Sequence, residues 1–572
     1  MSTFKKYFPF DIPRDNQLEI AEEIIHAFKK HRYVILNAPT GVGKSAIAMT
    51  AAQYFTKNRI KTGMVSIVTS EKILQDQYTD DFAHLPDIVS VKGMGAYICP
   101  KDGDSVSEAE CRVPGINCEE SCEYRQMLRK RKKSLIWITN YSIALTNRTF
   151  QERTHDLFVC DEMHKIEPIL LGHVTVSLGS EFIHGINKRL EKIFNVSFPE
   201  SIIKLLELYT KGKEKNNENA IRFYYELFEE VYIIYLQISE SITFFIKDNF
   251  SHITTKKEYT QEEIEDIKKV KYCLRTLSII ESNILVKYGL MLNHADNSDM
   301  KWILEILENE ILFKPVYANF LFEPLLGRLS NKFLFMSATS YCKEMFCEQF
   351  DVSEDDVYEI SLDSPFPIEN RKIYVAECMS MSYTQLQKNL KSMVDTVDNL
   401  LKSISCRAVI HSGNYNIARY IASNSIHKDR IVAPKSGERE LLIQRDFKNK
   451  ENGILISPSI IEGVSFNDEM CRIQIVVKVP YTSLADKRIK IRATQDPLWY
   501  RQEAIFKIVQ SSGRGVRHKD DFCITFILDS SFSNLYDNSS FLFPKWFVSA
   551  IEYIEPYEIK SKLRTFLDGK KI

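Results

Sequence analysis

The stretch "YVILNAPTGVGKSAIAMTAAQYF" (residues 33–55) decides the fold, because it joins an apolar strand pattern, a glycine-containing loop and a helix pattern. From Gly43 onward the loop meets the pattern G-x-x-x-x-G-K-[ST], with Ala38 in place of the first glycine. Gly41 and Gly43 allow backbone N–H groups to close around a phosphate at the amino end of the helix. The match, in this strand and helix context, predicts a nucleotide-binding loop.

Three polar side chains of this loop are candidates for contact with ATP. Lys44 would neutralise the β and γ phosphates, and Ser45 would bind Mg²⁺. Thr40 is predicted to bind the nucleotide with them. ATP and Mg²⁺ are therefore the expected cofactors.

Short apolar runs followed by turn or polar residues recur along the chain, as in "MVSIVTS", "SLIWITN", "LFVCDE" and "KFLFMSATS". Strands of this kind, separated by helical stretches, indicate an α/β domain with a largely parallel sheet, whose ligands bind at the carboxyl ends of the strands. A second series follows "MSATS", with strands expected at "RAVIHSG", "GILISPS", "RIQIVVKVP" and "DFCITFILD". We therefore predict two α/β domains.

Composition limits the class of protein. The chain has 572 residues, 44% of them hydrophobic and 26% charged, which is typical of a soluble globular protein of about three or four domains. Neither a signal peptide nor an apolar run long enough to span a membrane is evident, so we expect a cytosolic protein, or a nuclear one if its source has a nucleus. The net charge of -1 hides a basic run at residues 125–134, "RQMLRKRKKS".

Two further motifs supply hydrolytic chemistry. In "LFVCDEMH", Asp161 follows an apolar strand and is placed to bind the metal, while Glu162 is placed to polarise the attacking water. An acidic pair of this kind is, alone, usually a solvated turn. In "QSSGRGVR", Arg514 and Arg517 can stabilise the charge on a transferring phosphoryl group, and alone they would be a surface helix with salt bridges. Together with the phosphate loop, the motifs predict a composite site between two domains.

Four of the twelve cysteines gather in one polar segment, Cys99, Cys111, Cys118 and Cys122, with the spacing C-x11-C-x6-C-x3-C. Stable disulfides are not expected in a reducing compartment, which leaves metal ligation or buried thiols. Structural zinc usually prefers two close cysteine pairs, whereas iron-sulfur clusters tolerate irregular loops. The other cysteines lie mostly in apolar segments and are expected to be small core residues.

Long amphipathic segments between residues 165 and 312 predict a mostly helical insertion in the first α/β domain. One of them opens with Thr260 and Glu263 at the spacing of a capping box. We expect scaffold and packing surface from these helices rather than catalysis.

In their order along nearly the whole chain, these features resemble the superfamily 2 helicases, and specifically the XPD/DinG family of iron-sulfur DNA helicases. The matching segments are "YFPFDIPRDNQ" for adenine recognition, "VTSEKILQDQ" (motif Ia), "ITNYSIAL", "DEMH", "MSATS", "SPFP", "HSGNY" (motif IV), "SIIEGVSF" (motif V) and "QSSGRGVR" (motif VI). Met163 and Ser465 depart from the residues common in the family, and "LDSSF" lacks an arginine often found after Asp529.

The resemblance implies a layout of two RecA-like motor domains with two insertions in the first. Motor domain 1 is expected in three parts. An iron-sulfur domain (the cysteine segment) and an Arch domain (the helical insertion) are expected between these parts, and motor domain 2 is expected to follow them. The expected boundaries are 1–92, 131–165 and 313–340 for motor domain 1, 93–130 for the cysteine segment, 166–312 for the helical insertion and 341–572 for motor domain 2.

The resemblance also implies roles for single residues. Arg14 and Gln17 would recognise adenine, and His164 would couple hydrolysis to movement. Ser337 and Thr339 would link the motor domains. Gln510 would sense the γ phosphate, Arg514 and Arg517 would be arginine fingers, and the four clustered cysteines would hold a 4Fe-4S cluster rather than zinc.

We therefore expect an ATP-dependent DNA helicase that acts as a monomer on single-stranded DNA and on duplex with a single-stranded overhang. Its 5′ to 3′ direction is implied by the resemblance, and a cluster-stabilised wedge would split the duplex. Thr69, Asn140, Tyr141 and Ser412 are expected to contact DNA. The alternatives are a helicase-nuclease, an ATP-gated single-strand-binding scaffold and an RNA helicase.

Overall fold

Motor domain 1 is built on a parallel sheet that carries the phosphate loop. The structure, a computed structural model, describes residues 3–58, 61–194, 199–214, 221–294, 302–339, 341–433, 446–457, 466 and 468–570. Strands of this sheet are β1 (Tyr33–Asn37), β2 (Val65–Thr69), β3 (Ile88–Ser90), β4 (Ile136–Asn140), β5 (Leu157–Cys160), β9 (Phe333–Ser337) and β10 (Val357–Ser361). Their order is β10-β1-β9-β5-β2-β4-β3, and neighbouring strands are parallel.

Helices cover both faces of this sheet because its strands are apolar on both sides. Val34 and Leu36 of β1 pack into the core on one face, and Tyr33 and Ile35 pack into the core on the other. The helices are α1 (Gln17–Ala27), α2 (Lys44–Asn58), α3 (Lys72–Asp81), α4 (Glu123–Lys133), α5 (Tyr141–Thr146), α6 (Arg148–Gln151), α7 (Ile166–Val174), α13 (Phe322–Leu325) and α14 (Lys343–Phe350).

The helical insertion contains a small antiparallel sheet in addition to the predicted helices. Its strands are β6 (Val176–Gly179), β7 (Trp302–Ile306) and β8 (Glu310–Pro315), in the order β6-β8-β7. Its helices are α8 (Ser180–Phe194), α9 (Glu200–Glu214), α10 (Ile221–Phe250), α11 (Gln261–Ile280) and α12 (Val286–His294). The predicted capping box of Thr260 and Glu263 is present at the start of α11.

Motor domain 2 has a second parallel sheet of seven strands within the described residues, in the order β13-β14-β12-β15-β16-β11-β17. The strands are β11 (Ile373–Met379), β12 (Ala408–His411), β13 (Ile431–Val432), β14 (Ile454–Ser457), β15 (Ile473–Val476), β16 (Ile524–Asp529) and β17 (Ile551–Tyr553). The helices are α15 (Leu386–Leu401), α16 (Tyr415–Asn424), α17 (Lys487–Gln495), α18 (Pro497–Ser512), α19 (Ser531–Asp537), α20 (Lys545–Val548) and α21 (Ile559–Gly569). Two parallel-sheet α/β domains are thus confirmed.

Two predicted domain boundaries differ from the structure. We predicted that motor domain 2 begins at residue 341, but β10 pairs with β1 in the sheet of motor domain 1. We also placed residues from 166 onward in the helical insertion, but Ile166, Leu170 and Val174 of α7 pack in the core of motor domain 1. Both errors arise because short segments after a motif were assigned by position rather than by the core that their apolar side chains join.

Among the described residues, no helix combines the length and apolar character that a bilayer crossing requires.

Candidate ATP site and cysteine site

The predicted nucleotide-binding side chains meet in a cleft between the two motor domains. Its volume is about 740 Å³. The phosphate loop and the end of β5 form one wall, and the carboxyl end of α18 with the loop after it forms the other. The predicted residues that line the cleft are Arg14, Gln17, Thr40, Gly41, Gly43, Lys44, Ser45, Asp161, Glu162, Gln510, Arg514 and Arg517.

The phosphate loop has the backbone shape that its glycines make possible. Gly41 and Gly43 both have φ of 86°, in the region that L side chains rarely adopt. Lys44 Nζ donates a hydrogen bond to the Ala38 carbonyl at 2.9 Å. Burial lowers the pKa of Lys44, and the nearby carboxylates of Glu162 and Asp161 offset part of that shift. The ammonium therefore faces the acidic pair across the space where phosphates would lie.

Arg14 and Gln17 support the loop from behind. Gln17 Nε2 donates to the Val42 carbonyl at 2.8 Å, and Arg14 Nη1 donates to the Gly41 carbonyl at 2.6 Å. Gln17 Oε1 in turn accepts the backbone N–H of Arg14 at 2.9 Å. Both side chains thus contact the loop in this structure, and their recognition of adenine stays a prediction.

Asp161 and Glu162 follow β5 at the carboxyl edge of the sheet, and their pKa values shift in opposite directions. Burial and the charge of Glu162 raise the pKa of Asp161 to about 7. Burial acts in the same direction on Glu162, but His164, Lys44 and Arg514 outweigh it and lower its pKa. Glu162 also has φ of 53°, a left-handed conformation that is uncommon for a side-chain-bearing residue and clusters at functional sites. An ionised Glu162 can polarise a water.

His164 connects the acidic pair to motor domain 2. Its Nε2 lies 2.6 Å from Gln510 Nε2, and its Nδ1 lies 3.5 Å from Ser337 Oγ. The Ser337 and Thr339 hydroxyls are 2.6 Å apart. One chain of polar contacts thus runs from "MSATS" through the DEMH motif to α18.

The arginines of motor domain 2 face the acidic pair from across the cleft. Burial and the charge of Arg514 lower the pKa of Arg517 to about 10, and Glu162 offsets part of the shift, so Arg517 remains charged at neutral pH. Thr40 Oγ1 donates to the Gly513 carbonyl at 2.6 Å, which joins the phosphate loop directly to motif VI. The site is therefore composite, with cations from both motor domains.

Ser45 and Asp161 fit a magnesium site, since Mg²⁺ prefers one or two carboxylates, phosphate oxygens and waters. A hydroxyl and a buried carboxylate lie in the same cleft beside Lys44. Sequence reasoning missed Tyr78, a buried residue whose pKa is raised by burial and by the charge of Asp161. The available signal was an aromatic residue in the otherwise polar segment "QDQYTDD" of α3.

The four clustered cysteines share one small core. Cys99 and Cys122 are buried with Val106 and Ala109, and Cys111 and Cys118 pack against them half-buried. Burial, with the neighbouring Cys122 and Cys111 thiols, raises the pKa of Cys118 to about 12. Thiols crowded together in this way are suited to a cationic metal centre, which would stabilise them as thiolates.

The cysteine segment is held against the helical insertion by opposite charges and by backbone contact. Lys271 of α11 pairs with Asp102 at 2.9 Å and with Asp104 at 2.6 Å. Gly115 has φ of +84°, and a Cβ there would lie 1.9 Å from the Ile253 carbonyl oxygen. The two insertions are therefore in direct contact with each other.

The structure corrects our expectation that four strand-end residues contact DNA. The side chains of Thr69, Asn140, Tyr141 and Ser412 are all buried. Their polar groups are satisfied inside the protein, because Thr69 Oγ1 donates to the Glu71 carbonyl at 3.0 Å and Asn140 Nδ2 donates to Gln75 Oε1 at 3.0 Å. Tyr141 Oη donates to the Asp161 carbonyl at 3.3 Å. In this arrangement these side chains pack inside the protein at the ends of the β-strands and do not contact a DNA strand.

Motif V, "SIIEGVSF", lies outside the described residues except for Phe466, and so does the departure at Ser465. Met163, the other departure near the site, is fully buried in the core of motor domain 1. Its larger side chain is accommodated without displacing His164 from Gln510.

Two protein families match this chain in separate regions. The family described as Helicase C-terminal domain matches residues 398–550, within motor domain 2. The family described as Type III restriction enzyme, res subunit matches residues 11–205, which include the phosphate loop and the DEMH motif. Each region thus carries one half of the composite site.

Among similar proteins, the probable ATP-dependent helicase of Methanocaldococcus jannaschii is 21% identical over 622 aligned residues, with 93% of each chain covered. The regulator of telomere elongation helicase 1 homolog of Caenorhabditis elegans is 28% identical over 110 residues, 16% of this chain and 11% of that protein. A solved XPD helicase structure has a TM-score of 0.62 at 15% identity and covers 96% of this chain and 100% of its own. Xpd4 of S. tokodaii has a TM-score of 0.58 at 13% identity, with 95% and 100% covered.

The XPD-like fold, the matched helicase C-terminal domain and the cleft shared by two α/β domains agree with one another. The chain is an ATP-hydrolysing helicase with an XPD-like fold.

Proposed function

We propose that this helicase translocates on single-stranded DNA in the 5′ to 3′ direction and unwinds duplex with an iron-sulfur-stabilised wedge. The observation that carries the proposal is the contact of His164 with Gln510 at 2.6 Å, which couples the hydrolytic edge of one motor domain to the other. A motor needs such a link because hydrolysis at one place must change the spacing of two domains that grip a strand.

In this proposal each part of the cleft has one role. Lys44, Arg514 and Arg517 stabilise charge on the transferring phosphoryl group, and Glu162 polarises the attacking water. Ser45 and Asp161 would hold Mg²⁺, which would neutralise charge on the β and γ phosphates. Because catalysis of this kind is mainly positioning and electrostatic stabilisation, closure of the cleft on ATP completes the site.

The basic helix α4 supports a nucleic-acid substrate. It begins directly after Cys122, and its last turn carries Lys130, Arg131, Lys132 and Lys133. Cationic side chains that neutralise phosphates supply most of the affinity for a single strand and little sequence specificity. Its position beside the cysteine segment suits a wedge at the point where strands separate.

A 4Fe-4S cluster is proposed on Cys99, Cys111, Cys118 and Cys122. Structural zinc usually prefers two close cysteine pairs, and in the spacing C-x11-C-x6-C-x3-C only Cys118 and Cys122 approach one, which supports the cluster over zinc. Such a cluster would order a segment whose own apolar core is small.

The helicase proposal is tested with full-length protein on three substrates: a DNA duplex with a 5′ overhang, the same duplex with a 3′ overhang, and an RNA duplex with a 5′ overhang. ATP-dependent unwinding of the first substrate alone is expected. Glu162→Gln should abolish unwinding and retain ATP binding. Unwinding of the 3′ substrate would overturn the direction, and unwinding of RNA alone would overturn the DNA assignment.

The cluster is tested by iron and acid-labile sulfide analysis with a visible absorption spectrum, on protein purified without oxygen. About four irons and four sulfides per chain are expected. Cys118→Ser should lose iron, whereas Cys273→Ser, which changes a buried cysteine of the helical insertion, should not. Zinc at one ion per chain would overturn the cluster and the wedge that depends on it.

A further inference from the structure

We propose that Asp521 is a positioning residue for Arg517, because its carboxylate holds the Arg517 backbone so that the guanidinium is directed into the ATP cleft. This role rests on the proposed function of Arg517, which is to stabilise charge on the transferring phosphoryl group. Arg517 lines the cleft, whereas Asp521 lies behind it and acts through the loop that carries Arg517.

The Asp521 carboxylate is buried and joins three segments of motor domain 2. Asp521 is 1% exposed. Its Oδ2 accepts the backbone N–H of Arg517 at 3.1 Å. Its Oδ1 accepts the backbone N–H groups of Asp468 at 3.1 Å and Phe522 at 2.9 Å. Arg472 Nη1 also donates to Oδ1, at 2.8 Å. The backbone of Arg517 is thus fixed to two other segments through one side chain.

A cation site is the other reading of this carboxylate. Ligand atoms of Asp468, His518 and Asp521 lie within 4.8 Å of one another. However, the Arg472 guanidinium already donates to Asp521 Oδ1, and His518 Nε2 lies 2.8 Å from Asp468 Oδ1. A metal ion at this place would lie next to the Arg472 charge. The contacts therefore favour a carboxylate that holds backbone over one that binds metal.

The loop that carries Arg517 is confined on two sides. On one side, a Cβ at Gly515 would lie 2.4 Å from Cys523 Sγ, so the loop lies directly against the residue before β16. On the other side, a Cβ at Gly41 would lie 3.0 Å from the Arg517 carbonyl oxygen. The Arg517 backbone therefore lies between the Asp521 carboxylate and the phosphate loop. Loss of the Asp521 contact would change the position of Arg517 relative to that loop.

The position of Arg517 determines how much charge its side chain can stabilise. A cation lowers the barrier only when it is directed at the place where charge develops in the transition state. A displacement of about 1 Å can lower the rate about a hundredfold. Lys44 and the phosphate loop are unaffected by Asp521, so ATP binding should depend on it much less than turnover does.

The donors are divided unequally between the two oxygens of Asp521. Asp468, Phe522 and Arg472 donate to Oδ1, and Arg517 donates to Oδ2. In Asp521→Asn the side chain keeps one oxygen, which we expect at the position of Oδ1 because three donors converge there. The NH₂ group would then face the Arg517 N–H, and two donors cannot form a hydrogen bond. The substitution therefore removes the contact with Arg517 in particular.

The test is a double-mutant cycle of Asp521→Asn and Arg517→Ala in the full chain. Steady-state ATP turnover is measured with the same single-stranded DNA for every variant. We expect D521N to lower kcat about tenfold to a hundredfold, with the KM for ATP changed by less than about twofold. In the R517A background D521N should cause no further loss, because the side chain that Asp521 positions is already removed.

Asp398→Asn is the matched control, since it also neutralises a buried carboxylate of motor domain 2. Asp398 Oδ2 accepts the backbone N–H of Ile426 at 3.0 Å, and Asp398 is not among the described residues that line the cleft. Thermal unfolding measures the stability that each variant loses. D398N should lower the midpoint of unfolding and leave kcat unchanged.

A wild-type kcat in D521N would overturn the inference. So would losses that multiply in D521N/R517A, since a smaller folded fraction would then explain the effect of D521N. Wild-type turnover in R517A would instead refute the proposed function of Arg517, and the role of Asp521 with it. If D521N does not fold, the cycle is repeated with Asp521→Asn combined with Arg472→Gln, which removes both buried charges together.

Discussion

Glu167 and Arg492 form a buried ion pair across the interface between the two motor domains. Glu167 lies on α7, three residues after His164, and Arg492 lies on α17, directly before the helix that carries Gln510. Trp499 Nε1 donates to Glu167 Oε2 at 3.0 Å, and the Arg492 guanidinium lies 4.1 Å from the Trp499 ring centroid. The domains are thus joined by a third contact, in addition to those of His164 with Gln510 and of Thr40 with Gly513.

Arg492→Met should destabilise the protein strongly, because it leaves Glu167 buried without its cation. A loss of about 3–5 kcal/mol in the free energy of unfolding is expected from urea denaturation. Arg222→Met breaks an exposed pair with Glu226 on α10 and should cost no more than about 1 kcal/mol. Equal effects of the two variants would mean that the buried pair does not hold the interface.

Gln510→Ala should reduce ATP turnover by about tenfold or more, because it removes the contact through which motor domain 2 meets His164. The KM for ATP is expected to change much less, since Lys44 and the phosphate loop are untouched. Steady-state ATPase assays with single-stranded DNA measure both values. Gln237→Ala, on the exposed face of α10, is the control. A rise in KM with unchanged kcat would assign Gln510 to binding instead.

Acid should weaken the fold in part through His155. Burial lowers the pKa of His155 to about 4, from an ordinary value of 6.5. As pH falls, the unfolded chain binds this proton first, so the free energy of unfolding decreases between pH 6.5 and about 4, by up to about 1.4 kcal/mol per pH unit. Chemical denaturation at several pH values should show a smaller slope for His155→Gln.

His252→Gln, which changes an exposed histidine, should retain the wild-type slope. An unchanged slope in His155→Gln would show that other groups account for the acid sensitivity.

Gly115→Ala should loosen the cysteine segment from the helical insertion. Gly115 and Gly103 both have left-handed φ, so alanine at either position carries a similar backbone cost of about 1–2 kcal/mol. Only at Gly115 would the new Cβ also strike a backbone, that of Ile253, whereas Gly103 has open space. Limited proteolysis should therefore cut the cysteine segment faster in G115A than in G103A. Equal rates would mean that this contact does not order the segment.

Much of the fold could be predicted because its strands are continuous apolar runs. β1 spans the same residues as "YVILN", and the other predicted runs each contain a strand. The edge strand β10 was missed, since "VYEIS" has mixed polarity and only its pairing with β1 assigns it to motor domain 1. A local sequence pattern predicts the presence of a strand more readily than it predicts the sheet that the strand joins.

The cleft could also be anticipated, because each of its motifs carries its own chemistry. Tyr78 and Glu167 could not, since their meaning depends on groups that approach from other segments. Thr69 and Asn140 were expected to contact DNA because strand-end loops of a motor domain face the bound strand. Backbone and amide groups inside the protein already satisfy their side chains.

The pairing of β10 with β1 leaves a short hinge between the motor domains, from Leu362 to Lys372. Phe366 lies in this hinge, and its ring packs so closely on Gly41 that a Cβ there would lie 2.2 Å from Phe366 Cζ. Phe366 also packs in the core that contains Val409 and Leu455 of motor domain 2. One side chain of the connecting segment therefore contacts both the phosphate loop and motor domain 2.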